Sequence, residues 1–263
     1  MSIYNIEKIK YSNGDEVSIC PDRGGTITSL KLKGKEIFYF DEMTLNGRDP
    51  VRGGVPILFP NGGEINANFL YPKLKRHGFA RDSAWKLEKK DDGFVEELAS
   101  DDKTKNIYPF DFKLEVLGKF ENNNSFTIEQ KVHNTSSVDI PISIGLHPYF
   151  LVPNSEKKNI KFNFDGGKEI EEFFEVWANG GTLYIDNPMM KDSNSLIEIE
   201  IPTIGTITLN ISKEYQKIWI WSEPGKDFVC IEPMLRGLNG ITDNPQKVKN
   251  NEVFTASFNI YLN

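Results

Sequence analysis

Leu114-Glu115-Val116-Leu117-Gly118-Lys119-Phe120 and Phe126-Thr127-Ile128-Glu129-Gln130-Lys131-Val132 flank the polar triplet Asn122-Asn123-Asn124. Phe126, Ile128 and Val132 fall on alternate positions of the later run, interrupted by Gln130, the period of a strand with one face in a core. Asparagine tolerates the left-handed backbone of a tight turn, so the stretch predicts a β-hairpin. The same period recurs at Ile27-Ser29-Leu30, Ile140-Ile142-Ile144-Leu146, Ile197-Ile199-Ile201, Ile207-Leu209-Ile211 and Phe254-Phe258-Ile260. Asn13-Gly14-Asp15, Asp91-Asp92-Gly93, Asn134-Thr135-Ser136 and Asn179-Gly180-Gly181 carry turn chemistry between such runs. Helical patterning is scarce: Lys103 to Tyr108 suits one turn, and Glu169 to Trp177 fits helix or loop. Short strands spaced by turns, with no Pro/Gly/Ser linker, predict an all-β fold. The expectation is one large antiparallel β-sandwich domain over residues 1–263.

Composition narrows the class. Hydrophobic residues make up 38% of the 263 and charged residues 26%, the balance of a globular chain. Thirty-one Lys+Arg against 38 Asp+Glu leave a net charge of −7, so no nucleic-acid partner is expected. Ile140 to Val152 is too short to span a bilayer, and Met1 to Lys8 lacks an apolar stretch. These features predict a soluble, cytoplasmic chain with no membrane partner. Cys20 and Cys230 form no CxxC pair, and His77, His133 and His147 lack HExxH spacing. Nor is there a GxGxxG or GxxxxGK[ST] loop. The expected chemistry therefore uses ordinary side chains, without a metal or organic cofactor.

Four segments carry candidate chemistry. In Arg52-Gly53-Gly54-Val55-Pro56, paired glycines permit close backbone approach and the proline stiffens the path. Arg52 is then either held toward a ligand or engaged in a structural ion pair. Lys75-Arg76-His77-Gly78-Phe79-Ala80-Arg81 is either a site loop or a solvated basic one. Between 52 and 81, Arg52, Lys73, Lys75, Arg76 and Arg81 face only Glu64, a basic concentration suited to an anionic substrate. In Ile140 to Phe150, alternation puts Ser143, Gly145 and His147 on a small polar face with room for a ligand. In Asp227-Phe228-Val229-Cys230-Ile231-Glu232-Pro233-Met234, Glu232 interrupts an apolar strand. It is there to act as a base or to pair with an arginine such as Arg236.

Taken in chain order, Arg52-Gly-Gly-x-Pro56, His77-Gly-Phe-Ala-Arg81, His147-Pro-Tyr149 and Glu232-Pro233 resemble the aldose 1-epimerase (galactose mutarotase-like) superfamily. The resemblance implies that family's β-supersandwich and a cofactor-independent isomerase acting at C1 of an aldose. It implies Glu232 as the base that takes the C1-hydroxyl proton, and His147 as the acid that protonates the ring oxygen. His77 becomes the second histidine, and Arg52 a substrate-contacting arginine. After C1–O5 cleavage, rotation about C1–C2 and reclosure give the other anomer. The glycine-flanked Arg52 resembles the hexose-6-phosphate 1-epimerase branch more than the galactose mutarotases. In that branch Arg81, with Lys73, Lys75 or Arg76, would hold a phosphate. An aspartate that many relatives carry between the second histidine and the glutamate has Asp186 as its candidate here, or Asp186 merely caps a turn. A sugar-binding protein on the same scaffold, without catalysis, is the remaining reading.

Overall fold

The computed structural model describes residues 3–47, 50–65, 70–121, 124–192 and 195–263. The hairpin forms as predicted: Phe112–Glu121 pairs antiparallel with Ser125–Asn134, with Leu114 opposite Val132 and Phe120 opposite Phe126. Phe112, Leu114, Val116, Gly118 and Phe120 are buried, and the residues between them are partly or fully exposed. Asn124 takes the left-handed turn conformation (φ 62°), while Asn122 and Asn123 lie outside the described residues.

This hairpin is the centre of an eight-stranded sheet. Val253–Leu262, Gly205–Ile211, Ile197–Ile201 and Lys161–Asn163 follow on one side, Gly93–Ala99 and Lys86–Lys90 on the other. A second sheet runs Thr182–Asp186, Lys217–Trp221, Phe228–Met234, Gly145–Leu146 and Ile57–Leu58, with Tyr149–Leu151 also paired to Phe228–Met234. Glu7–Lys10, Glu16–Cys20, Thr26–Leu32 and Lys35–Glu36 form a third. Every pairing between these strands is antiparallel. Leu114 and Ile128, Ile220 and Ile231, and Ile27 and Leu30 join one hydrophobic cluster, so the three sheets share a core. Helix is confined to short pieces, among them Asp102–Lys105, Gly167–Glu172 and Phe174–Trp177, where the sequence left room for it. No described helix is long and apolar enough to cross a membrane.

The alternating run Ile140 to Leu146 departs from the one predicted strand by splitting between two sheets, whereas the stop at Pro148 is the one a proline dictates. Ile140–Ile142 pairs with Gln246–Val248, while Gly145–Leu146 and Tyr149–Leu151 belong to the second sheet. Pro148 has no N–H to donate, which breaks the ladder at His147-Pro148. The expected space above Gly145 is filled as well: a Cβ there would meet Met234 Sδ at 2.3 Å.

One core group is expensive. Glu96 projects with Phe94 and Leu98 into the core beside Trp85, is fully buried, and neither carboxylate oxygen has a hydrogen-bond partner among the described residues. Burial pushes its pKa up from 4.5 to about 8. Between those values the folded chain keeps a proton that the unfolded chain has lost. Stability therefore falls as pH rises through the window, by at most about 1.4 kcal/mol per pH unit. Glu96→Met removes this share, so its gain in melting temperature is expected to be larger near pH ~8 than near pH ~5. Thermal melts at the two pH values check this; an equal gain at both would mean Glu96 ionises normally.

Candidate active site

The register of the second sheet assembles the site. Gly145 pairs with Met234 and Tyr149 with Cys230. Continuing that line across the Pro148 break places His147 opposite Glu232, and their Nε2 and Oε1 atoms lie 3.4 Å apart. On the other side of the same strand Trp219 pairs with Glu232 and Trp221 with Cys230; Tyr184 and Thr182 lie beyond them. Two cross-strand rows result, Tyr184-Trp219-Glu232-His147 and Thr182-Trp221-Cys230-Tyr149. Directly opposed residues point to the same face, and here that face is turned from the core. Val229 and Ile231 belong to the main hydrophobic cluster; Phe228, Cys230 and Met234 do not.

Over this face lies a cleft of about 340 Å³, lined by Arg52, Arg76, His77, Arg81, His147, Tyr149, Thr182 and Trp221 among others. That volume suits a small ligand. Glu232 is not among the lining residues; it is 2% exposed, and its Oε1 lies 3.4 Å from His147 Nε2. Tyr149 stacks on the His147 imidazole, centroids 4.7 Å apart and planes 11° from parallel, which fixes the ring.

Backbone strain sets His77 in place. His77 and Gly78 both have left-handed φ, 67° and 68°. Gly78 lies against the Phe59 carbonyl so closely that a Cβ would come within 1.9 Å of the oxygen. Glycine is needed here for close approach, and the next residue, Phe79, hydrogen-bonds through its N–H to that carbonyl. His77 Nδ1 donates to the Gly62 carbonyl, which can only accept, so Nε2 keeps its lone pair as an acceptor. The two imidazoles meet edge to face with centroids 5.4 Å apart. Arg52 is anchored by its own backbone: its carbonyl accepts from Asp41 N–H, and Gly54 N–H donates to the Tyr39 carbonyl. A Cβ on Gly54 would meet the Ile27 oxygen at 2.0 Å.

Burial dominates the electrostatics. It lifts the Glu232 carboxyl from 4.5 to about 8. His147 is pushed well below its ordinary value by burial, reinforced by His77 and Arg81, and His77 falls to about 3 by burial with Arg81 and Arg76 beside it. Near neutrality burial thus favours the uncharged pair, a protonated Glu232 carboxyl beside a neutral His147 imidazole. His147 Nδ1, Glu232 Oε2 and Trp219 Nε1 are buried without a hydrogen-bond partner among the described residues. All three orphaned polar atoms belong to one cross-strand row, Trp219-Glu232-His147.

Most of the expected residues meet at this cleft: Arg52, His77, Arg81 and His147 line it and Glu232 lies against His147. Arg52 carries both readings at once, since it pairs with Glu223 at 3.3 Å and lies over the Trp221 ring at 5.5 Å. Arg236 does not neutralise Glu232; it donates to the Leu235 and Asn244 carbonyls and to Gln246. Of the basic residues, Arg76 joins the cleft, while Lys73 turns to Asn106 and Lys75 is exposed. Asp186 is placed elsewhere. It shares a strand and a face with Thr182 but is about 13 Å further along. There it is exposed, paired with Lys217, beside a separate depression lined by Asp165 and Lys191. The signal left unused was the Lys217–Trp221 strand: Trp219 is buried, yet Trp221, two residues on, emerges at the cleft.

Antiparallel sheets sharing a core, with a histidine–glutamate pair at an arginine-lined cleft, define a galactose mutarotase-like β-sandwich. Residues 7–253 match the model of the Aldose 1-epimerase family, and the chain belongs to that family. Among solved structures it is similar to the Slr1438 protein of Synechocystis sp. PCC 6803, 26% identical with a TM-score of 0.84 over 98% of this chain and 95% of that one. A galactose mutarotase related enzyme from Lactobacillus acidophilus is 19% identical, TM-score 0.78, over 98% and 97%. A galactose mutarotase-like protein from Clostridium acetobutylicum shares the fold at 19% identity and TM-score 0.73, over 98% of each chain.

Proposed function

We propose that the protein is an aldose 1-epimerase that interconverts the α and β anomers of a hexose. The observation that carries this reading is the His147–Glu232 pair: Nε2 and Oε1 lie 3.4 Å apart, with an orphaned polar atom on each partner. Opening a hemiacetal needs a base at the C1 hydroxyl and an acid at the ring oxygen, each contributing about 10²–10⁴-fold. Moving the carboxyl proton of Glu232 to His147 creates that carboxylate and that imidazolium. In this reading a side-chain rotation at the cleft floor lets the C1 hydroxyl reach Glu232 Oε2, and His147 protonates the ring oxygen. His77 Nε2 accepts a hydrogen bond from a sugar hydroxyl and orients the ring. Rotation about C1–C2 and reversed proton transfers complete the exchange, and the steps call on no cofactor. Polarimetry of fresh α-D-glucose and α-D-galactose tests it; rates equal to buffer on every aldose and aldose phosphate would refute it.

A second reading, a hexose 6-phosphate as substrate, is favoured by the arginines. Arg81 makes no ion pair among the described residues, and its buried Nε lacks a partner, as it would in a site awaiting an anion. Arg81→Met is then expected to lower kcat/KM for glucose 6-phosphate roughly 10- to 100-fold while changing that for glucose little. Raising the salt concentration should weaken the phosphorylated sugar selectively. A salt-independent preference for neutral sugar in polarimetry would remove this branch.

A further inference from the structure

Local spacing in the sequence holds no zinc motif, yet the sheet register brings an imidazole, a thiol and a carboxylate together from remote positions. One donor atom each from His147, Cys230 and Glu232 lies within 4.8 Å of the others, and all three residues are buried. We infer that these three residues form a latent seat for a thiophilic divalent cation of the zinc class, whose occupancy idles the His147–Glu232 pair. Nitrogen, sulfur and oxygen donors in this number leave a fourth position open, as in tetrahedral sites with one exchangeable ligand. Bonds of about 2.0–2.3 Å imply donor separations of about 3.3–3.8 Å, so the triangle needs to close by about 1 Å. The second observation pointing to a ligand is the carboxylate oxygen Glu232 Oε2, buried and without a hydrogen-bond partner among the described residues. Cys230 is a free cysteine on the row next to Glu232, opposite both Tyr149 and Trp221, and the proposed ring-opening steps make no use of it. Binding converts the thiol and the carboxyl to thiolate and carboxylate, and the two protons released balance the two charges of the cation. The inference concerns metal binding and holds whichever sugar is turned over.

The test is Co²⁺ titration of the full chain, followed by Zn²⁺ displacement. One Co²⁺ per chain with a thiolate-to-cobalt charge-transfer band is expected, lost on Zn²⁺ addition. Cys230→Ser and Cys230→Ala, each checked by thermal melting to be folded, should lose the band and bind Zn²⁺ at least about tenfold more weakly. Cys20→Ser, which alters the other cysteine of the chain, should keep both. A wild-type protein with no band, a band that survives in both Cys230 variants, or one that disappears with Cys20 would overturn the inference.

Discussion

Glu232→Gln is expected to bind sugar normally and to lose about 10²–10⁴-fold in kcat for anomerisation. The amide keeps the shape of the carboxyl but cannot take the C1-hydroxyl proton, so ground-state contacts survive while the transition state loses its base. The pH profile of the wild type carries the same assignment. Burial raises the Glu232 carboxyl to about 8, so below that pH the pair still holds the proton that His147 must deliver. Above it the pair retains a base but has no acid, and kcat/KM is expected to fall about tenfold per pH unit. That alkaline limb should vanish from the residual activity of Glu232→Gln. Polarimetry across pH together with titration calorimetry of sugar binding separates the effects. Full turnover in the variant would place the base elsewhere.

Gly78→Ala should destabilise the fold by roughly 3 kcal/mol or more and cost activity at the same time. The added Cβ would lie 1.9 Å from the Phe59 oxygen and 2.9 Å from Pro60 N, both backbone atoms that cannot rotate away. It would also sit at a left-handed φ of 68°. Relief requires lifting the loop that carries His77 and Arg81 off the Phe59 segment, which moves the histidine away from His147. Gly14→Ala is the matched control: its φ is 92°, but nothing lies within 4 Å of the new Cβ. It is expected to cost only about 1 kcal/mol of backbone strain, with activity retained. Denaturant unfolding of both variants gives the comparison; equal losses would mean that packing of Gly78 does not hold the loop.

The alternating runs at Leu114–Val132, Ile197–Ile201 and Ile207–Ile211 were legible as strands because side-chain period is a local property of the backbone. His77, Arg81, His147 and Glu232 were legible as chemistry because each is a polar group in an apolar or glycine-flanked setting, and their order resembles a known family. Ile140 to Leu146 misled because alternation does not reveal where a strand changes partner; that depends on hydrogen bonds to Gln246–Val248 and Phe228–Met234, far away in the chain. Asp186 could be named as a candidate or as a turn residue but not placed, because residue type carries no information on position along a strand.

By itself the sequence determined which segments are extended and which residues carry protons or charge, since both follow from covalent geometry and side-chain chemistry. Only the tertiary structure decided that His147 faces Glu232 across the proline break, that Trp221 and Arg76 join the cleft, and that Cys230 lies beside the pair. Register is the physical reason. It is set by long-range backbone pairing, and a shift of one residue would turn Trp221, Cys230 and Glu232 to the opposite face.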